Sequence, residues 1–327
     1  MTIKDVPAFP AMDISPARPA TPPRCRCCGS ADVRERGTKL GKRIPRTFHY
    51  YHCLECSFLF VEPVTDPSIY DDDYYDGRGI DPAVNYREEY ENYATTPRAS
   101  EFEDFARLAA DHFSRAGGTG GDRSKKSWLD FGCGAGGLLK FLRARGGYRV
   151  TGHDIGSYAD RLKHDDGFEI LDWDELQALP TASFDVITCI EVLEHVPEPR
   201  PLIELMARLL RPGGLLILTT GNLDCAVARW QGLNFPYVVP EIHVSLFNPH
   251  LLQKLYTEAG LKPLHVRYRG SIQFRIRKNL QLNGYDSQLG WLAKLPPAVW
   301  LADRLWGTSA MPCATKLAPD AENRAAR

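Results

Sequence analysis

The sequence predicts an α/β fold: a mainly parallel sheet with helices on both faces, preceded by a small cysteine-bearing module. Strand-like apolar runs alternate with helical patterns from Ser127 onward. Two of these runs, at 186–187 and 215–218, are continuously apolar, as in central strands buried on both sides. Two Cys-x2-Cys pairs between residues 24 and 62 predict the separate module.

Composition narrows the class of protein. The chain has 327 residues, of which 43% are hydrophobic and 25% charged, which is typical of a globular protein. Its formal net charge of −1 argues against binding a nucleic acid along its length. No run of about 18 apolar residues and no secretory signal pattern occurs. We therefore expect a cytoplasmic protein, in which the nine cysteines need a role other than disulfides.

Changes in composition divide the chain into five expected segments. They are a Pro-rich flexible leader (1–22), the cysteine-bearing module (23–62), a Tyr-rich helical lid segment (63–116), the sheet domain (117–278), and a C-terminal extension and tail (279–327). The extension carries an apolar patch with Trp291, Trp300 and Trp306. Packing onto the main domain is its usual explanation, and a membrane surface or a dimer partner is the alternative.

Apolar periodicity places the individual elements. Expected strands are Trp128–Phe131, Tyr148–His153, Phe168–Leu171, Phe184–Ile190, Gly214–Thr220, Lys262–Tyr268 and Ile272–Ile276. Expected helices cover 99–115, 137–145, 157–164, 199–210 and 249–259.

Acidic and glycine residues follow the expected strands, at the sheet edge where ligands of such folds bind. They include Asp130, Gly132, Cys133 and Gly134 after the first strand, Asp154 and Ile155 after the second, Asp172 and Trp173 after the third, and Glu191 after the fourth. The glycine amides can approach a ligand closely. Asp154 is placed to accept ribose hydroxyls, or else to cap a helix. Asp172 is placed to accept from an adenine amino group, with Trp173 or Ile155 beside the ring.

A dinucleotide or a sulfonium cofactor could occupy such a turn, since Gly132, Gly134 and Gly137 also satisfy Gly-x-Gly-x-x-Gly. Asp130 stands directly before this turn. A carboxylate there repels a pyrophosphate and attracts a cationic sulfonium amino acid. The charge therefore favours S-adenosylmethionine.

Four motifs in this order resemble the class I S-adenosylmethionine-dependent methyltransferases. They are Leu129-Asp130-Phe131-Gly132-Cys133-Gly134-Ala135-Gly136, Phe184-Asp185-Val186-Ile187-Thr188, Glu191-Val192-Leu193-Glu194-His195-Val196 and Leu209-Leu210-Arg211-Pro212-Gly213-Gly214. The resemblance covers roughly residues 125–268. It implies a Rossmann-like seven-stranded sheet with one antiparallel strand, and cofactor contacts from Asp130, Gly132, Gly134, Asp154 and Asp172.

The cysteine pairs predict a structural Zn²⁺ site in a zinc ribbon (23–62). Four thiolates on two knuckles, Cys25, Cys28, Cys53 and Cys56, suit a tetrahedral ion. Cys27 is an alternative to Cys28, His52 is a weaker one, and reduced buried thiols without metal are the simpler interpretation. The segment is similar to a zinc-binding module ahead of some bacterial methyltransferases, including sugar C-methyltransferases that act on nucleotide-linked deoxysugars. That resemblance implies a structural or substrate-covering role.

The substrate side offers candidate bases. His243 is the first choice, because its ordinary pKa suits removal of a proton near neutral pH. Glu241, His195 and Tyr75 are secondary choices. Each histidine has a structural alternative, as a residue that only packs and hydrogen-bonds.

The sequence therefore predicts methyl transfer to a small-molecule acceptor, with a nucleotide-linked sugar or glycan as the preferred class. An RNA methyltransferase guided by the locally basic zinc ribbon is the second hypothesis. A non-catalytic ligand-binding module is the third. The acceptor atom and the oligomeric state stay open.

Overall fold

The computed structural model describes residues 23–70, 72–80, 85–96, 98–115, 126–269 and 309–317. Its strands are β1 (Val33–Leu40), β2 (Thr47–Cys53), β3 (Leu59–Glu62), β4 (Lys126–Phe131), β5 (Tyr148–His153), β6 (Glu169–Leu171), β7 (Phe184–Ile190), β8 (Leu210–Gly221), β9 (Ser245–Leu246), β10 (Leu261–Arg269) and β11 (Ser309–Lys316). Its α-helices are α1 (Asp72–Tyr75), α2 (Tyr86–Asn92), α3 (Ala99–Arg115), α4 (Gly137–Arg145), α5 (Tyr158–His164), α6 (Trp173–Ala178), α7 (Pro199–Leu209), α8 (Ala226–Gln231) and α9 (Pro249–Glu258).

Seven of the described strands form the main sheet, in the order β10-β11-β8-β7-β4-β5-β6. The strands from β8 to β6 in this order pair in parallel, and β11 is antiparallel to both of its neighbours. The order reverses next to β4, so the carboxyl ends of β4 and β7 face a crevice where such folds bind ligands. This architecture confirms the predicted α/β fold.

The antiparallel strand comes from an unexpected part of the sequence. β11 lies in the segment predicted as a C-terminal extension, and its Cys313 and Ala314 pair with Ile217 and Leu216 of β8. Its sequence, SAMPCATK, has few β-branched residues, so strand propensity does not single it out. The predicted strand 272–276, the leader 1–22 and the Trp-bearing patch lie outside the described residues.

Helices cover both faces of the sheet. On one face, Phe102, Phe105 and Ala109 of α3 pack with Trp128 of β4. Their helical spacing explains why the predicted helix over 99–115 forms. On the other face, α7 and α9 share a core with β7 and β8. No helix in the described ranges combines the length and apolar character needed to cross a membrane.

The cysteine-bearing module folds as an antiparallel sheet of β1, β2 and β3. The short strand β9 of the main domain joins this sheet beside β3. Phe58 and Phe60 also pack into the core that contains Phe247. The module is therefore joined to the domain through the segment that carries His243.

Candidate functional site

The glycine turn after β4 has the geometry that the sequence predicts. Gly132, Gly134 and Gly136 have φ values of +76°, +52° and +75°, a region that favours glycine. The amides of Gly132 and Cys133 donate to the carbonyl oxygen of His153 at 2.7 and 3.0 Å. A Cβ atom on Gly132 would come within 2.2 Å of Val192. The turn therefore lies directly against the loop that follows β7.

Asp130 is buried at the end of β4, and its carboxylate accepts a 2.7 Å hydrogen bond from the Thr188 hydroxyl. Burial raises the pKa of Asp130 to about 7, although this hydrogen bond and the nearby Arg98 act to lower it. Arg98 donates to the buried Glu89 at 2.8 Å. Glu89 and Arg98 are not among the predicted site residues, because they lie some 30 to 40 residues before Asp130 and form no motif with it.

Asp154 holds the turn in shape. Its two oxygens accept from the amides of Gly134 and Gly156 at 2.8 and 2.7 Å. A carboxylate has about four lone-pair sites, so these bonds leave capacity for the two ribose hydroxyls. The neighbouring Ile155 is 51% exposed at the same strand end, as expected for a residue that flanks a ring.

Asp172 is the N-cap of α6. Its Oδ1 accepts from the Glu175 amide at 2.8 Å, and the Glu175 side chain accepts from the Asp172 amide in return. Trp173 is half-buried beside Phe131 and His153, with ring centroids 6.4 and 5.9 Å away. The adenine contacts predicted for both residues stay predictions, and the cap is a second role for Asp172.

Tyrosines of the segment predicted as a lid lie on the glycine turn. A Cβ atom on Gly134 would come within 2.7 Å of the Tyr86 ring, and one on Gly156 within 2.5 Å of the Tyr75 ring. The two tyrosine rings are 5.3 Å apart. Tyr75 thus contacts the cofactor side of the crevice.

A cluster of polar side chains, most of them buried or half-buried, lies beside the turn, after β7 and β8. Glu194 accepts a 2.8 Å hydrogen bond from the Thr220 hydroxyl and a second hydrogen bond from the Tyr237 hydroxyl. The Tyr237 hydroxyl also donates to Glu191 at 3.2 Å. Glu191 is exposed and has a φ of +53°, an unfavourable value for a glutamate. Partial desolvation by the surrounding residues and the neighbouring Glu194 raise the pKa of Glu191.

The two candidate histidines meet in this cluster, with ring centroids 5.0 Å apart. His243 Nδ1 is 2.6 Å from the Tyr237 carbonyl oxygen, and the two ring centroids are 4.2 Å apart with the ring planes tilted by 31°. His195 Nδ1 is 2.9 Å from the carbonyl oxygen of Ile242 and 2.9 Å from the Tyr70 hydroxyl. Burial lowers the pKa of His195 to about 4, so this ring is neutral at pH 7.

Glu241 points away from the histidines. Its Oε1 accepts from the amides of Arg43 and Ile44 at 2.7 and 3.0 Å, and its side chain is buried. These contacts anchor the loop between β1 and β2. A role for Glu241 as a base stays a prediction, and the geometry favours the anchor.

Tyr70 and Tyr237 are functional candidates that no sequence motif marks. Tyr70 lies in the Tyr-rich segment, and Tyr237 stands in a loop. The Tyr237 ring packs on Gly221, where a Cβ would come within 2.0 Å of it, and this contact follows only from the fold.

The four predicted metal ligands come together. The sulfur atoms of Cys25, Cys28, Cys53 and Cys56 all lie within 4.8 Å of one another. The Cys25–Cys56 and Cys28–Cys53 pairs are each separated by 3.6 Å. A tetrahedral zinc with Zn–S bonds of about 2.3 Å requires sulfur separations of about 3.8 Å. The arrangement therefore fits Zn²⁺.

The structure also distinguishes the alternative ligands. Cys27 is buried and its side chain interacts with Cys56, but among the described residues neither it nor His52 belongs to the group of four sulfur atoms. Each knuckle closes with a backbone hydrogen bond. The Gly29 amide donates to the Cys25 carbonyl oxygen, and the Ser57 amide donates to the Cys53 carbonyl oxygen. The second group of described side chains close enough to share a metal ion is Glu194, His195 and His243.

Comparisons with known proteins find relatives that are methyltransferases by name. A stretch of 102 residues is 43% identical to the ubiquinone biosynthesis O-methyltransferase of Xanthomonas oryzae pv. oryzae (strain PXO99A), covering 29% of this chain and 42% of that protein. The Aromatoleum aromaticum protein of the same name is 30% identical over 182 residues, 51% of this chain and 76% of that protein. The chain thus spans less than half the length of the first relative.

A solved structure of 1,6-didemethyltoxoflavin-N1-methyltransferase from Burkholderia thailandensis is also similar, with 15% identity and a TM-score of 0.44. That match covers 82% of this chain and 99% of the other, but it is too weak to add to the assignment. A family profile described as "Methyltransferase domain" matches residues 101–266, which is just over half of the sequence. The chain therefore belongs to the methyltransferase-domain family.

Proposed function

We propose that this chain transfers a methyl group from S-adenosylmethionine to a hydroxyl oxygen of a small-molecule acceptor. One observation carries the proposal: Val192 packs on Gly132, so the glycine turn and the buried Glu–His–Tyr cluster adjoin at one edge of the sheet. The names of the O-methyltransferase relatives support oxygen as the acceptor atom.

The residues around the turn suit the two ends of this cofactor. Asp130 offers a negative charge to its ammonium group, and Arg98 offers a positive charge to its carboxylate. Asp154 would accept from the ribose hydroxyls, and Asp172, Ile155 and Trp173 would surround the adenine. The bound cofactor supplies a methyl group on a positively charged sulfur, which an acceptor oxygen attacks in line.

The buried cluster suits the acceptor. With the Nδ1 proton of His243 held by the Tyr237 carbonyl oxygen, Nε2 carries the lone pair that removes the hydroxyl proton. His195 is neutral and is the second candidate base. Alignment of the acceptor is the larger contribution, and the fixed carboxylates of Glu191 and Glu194 provide acceptors for further hydroxyl groups.

The acceptor class that we propose is a nucleotide-linked sugar or a glycan. Its support is the number of polar groups in the cluster, which matches a ligand with several hydroxyls, and the zinc ribbon that packs beside His243. A phenolic acceptor is the alternative outcome of the experiment below.

Calorimetry with S-adenosylhomocysteine tests the cofactor first. Binding at micromolar concentration together with no binding of NAD supports the proposal, and the reverse pattern contradicts it.

Methyl transfer is then measured with methyl-¹³C S-adenosylmethionine against nucleotide-linked deoxysugars and against catechol. The methyl carbon shift distinguishes O-methyl from C-methyl products. We expect an O-methyl sugar, and we expect His243→Asn to lower kcat at least tenfold without changing S-adenosylhomocysteine affinity. A C-methyl product, or unchanged kcat, would contradict the assigned atom or base.

A further inference from the structure

We propose that Arg26 is a positioning residue, which ties the first cysteine knuckle to the backbone beside His243 and so fixes the orientation of that histidine. The inference rests on the proposed function for the role of His243. The tie itself rests on contacts of the described residues.

Arg26 stands between Cys25 and Cys27, and its side chain turns inward, with only 7% exposed. Its Nη2 donates to two carbonyl oxygens on different parts of the chain, to Val61 of β3 at 2.8 Å and to Val244 at 3.2 Å. The guanidinium carbon lies 5.1 Å from the centre of the Phe60 ring. One buried side chain thus connects the knuckle, the ribbon and the segment that leads into β9.

This connection reinforces a short strand pairing. β9 has two residues, which pair with Leu59 and Phe60, and the Val61 amide adds a 3.1 Å bond to Val244 O. A two-residue ladder fixes little backbone by itself. The hydrogen bond from Arg26 to Val244 O therefore restrains the backbone of this segment further than the strand pairing alone does.

Both candidate histidines neighbour the tied backbone. His243 directly precedes Val244, and the Ser245 hydroxyl donates at 2.6 Å to the carbonyl oxygen of Val196, the residue after His195. A shift of Val244 and Ser245 would therefore change both the His243–Tyr237 bond and the loop that holds His195.

The other end of the tie is rigid. The Gly29 amide donates to Cys25 O at 2.8 Å, and Arg200 of α7 donates to Cys27 O at 2.9 Å and pairs with Glu258 at 2.8 Å. When the four cysteines hold a metal ion, the knuckle becomes a fixed point. The metal would then affect the acceptor side of the site without touching it.

The chemistry of the site favours arginine. Burying a guanidinium is costly, and Nε and Nη1 of Arg26 have no hydrogen-bond partner. Glu62, 3.7 Å from Nη1, provides partial compensation. Both carbonyl oxygens accept from the single nitrogen Nη2, so a lysine ammonium would reproduce only part of the contact. The planar guanidinium also lies over the Phe60 ring, which lysine does not match.

The test compares Arg26→Met and Arg26→Lys with Arg34→Met, a matched control at an exposed position of β1. Hydrogen–deuterium exchange of the peptide 239–248 is measured beside zinc content. We expect Arg26→Met to keep one zinc per chain and to exchange at least tenfold faster in this peptide. Arg26→Lys should be intermediate, and the control unchanged.

NMR follows the titration of the His243 imidazole, whose signal is assigned with the His243→Asn variant. We expect this titration to shift in Arg26→Met. A purely structural role of Arg26 elsewhere in the protein would leave it unchanged. If Arg26→Met fails to fold, zinc-stripped natural protein provides the same test, since stripping should speed exchange of peptide 239–248. Unchanged exchange in zinc-loaded Arg26→Met, or in stripped protein, overturns the inference. S-Adenosylhomocysteine affinity is measured on the same samples, so a failure of the proposed function is seen separately.

Discussion

Asp130 illustrates how position in the fold changes the chemistry of one side chain. Its place after an apolar strand was readable from the sequence. So was the preference of its negative charge for a cationic cofactor over a pyrophosphate. Its burial beneath the turn, with Thr188 as donor and Arg98 nearby, depends on residues 30 to 60 positions away in the chain. Those partners follow from packing, so the sequence analysis could not name them.

Cofactor binding should depend on pH through Asp130. Because burial raises its pKa to about 7, the carboxyl loses its charge as the pH falls below 7. We expect the affinity for S-adenosylmethionine, measured by calorimetry, to rise between pH 6 and pH 8. Asp130→Asn should lower the affinity at least tenfold at pH 8, since charge-assisted hydrogen bonds contribute about 1.5–3 kcal/mol, and should remove most of the pH dependence.

Asp174→Asn, at an exposed position of α6, is the control and should behave as the natural protein. If Asp130→Asn retained the full pH dependence, another group would be responsible.

The identity of the fourth metal ligand gives a second prediction at the residue scale. Cys28 belongs to the group of four sulfur atoms, whereas Cys27 is buried beside Cys56 and does not belong to that group. Cys28→Ser should therefore lose bound zinc, measured by plasma mass spectrometry after gel filtration. Cys27→Ser should retain about one zinc per chain. The opposite pattern would assign the ligand to Cys27.

At the scale of single elements, α6 shows how one residue can hold two roles. Sequence patterns identified Asp172 by its place after the third strand and did not identify the helix that follows. Six residues are too few for a clear helical period, and the reciprocal bonds between Asp172 and Glu175 mark the start of α6. The cap is local, and the adenine contact is a proposal.

Two substitutions separate these roles. Asp172→Ala should lower the free energy of unfolding by about 1 kcal/mol, because it removes the cap, and should also weaken S-adenosylhomocysteine binding. Asp172→Ser should keep most of the stability, since serine caps helices well, but still weaken binding. Urea unfolding and calorimetry measure the two effects. Equal affinity of Asp172→Ser and the natural protein would leave Asp172 only its structural role.

At the scale of the whole molecule, the zinc ribbon and the main domain share a sheet. β9 of the domain pairs with β3 of the ribbon, and Glu241 holds the ribbon loop from the domain side. Loss of order in the ribbon should therefore reach the proposed acceptor side first, because the residues proposed to bind the cofactor follow strands of the separate main sheet.

Removing zinc tests this division. A chelator should lower the Tm in calorimetric scans, because the binding free energy of a structural metal is folding free energy. S-Adenosylhomocysteine affinity should change by less than about twofold, and added Zn²⁺ should restore the Tm while Mg²⁺ should not. An unchanged Tm would show that the cysteine cluster does not hold a stabilising metal.

Four features are readable in the local pattern of the sequence: the alternating strands and helices, the glycine turn, the acidic residues at the strand ends and the paired cysteines. These features depend on local spacing, which side-chain chemistry and backbone conformation impose over a few residues. Tertiary structure alone decided the place of β11 in the sheet, the partners of Asp130, the meeting of His195, His243 and Tyr237, and the inward turn of Arg26. Each of these depends on contacts between segments far apart in the chain, and no local pattern encodes which distant surfaces will pack together.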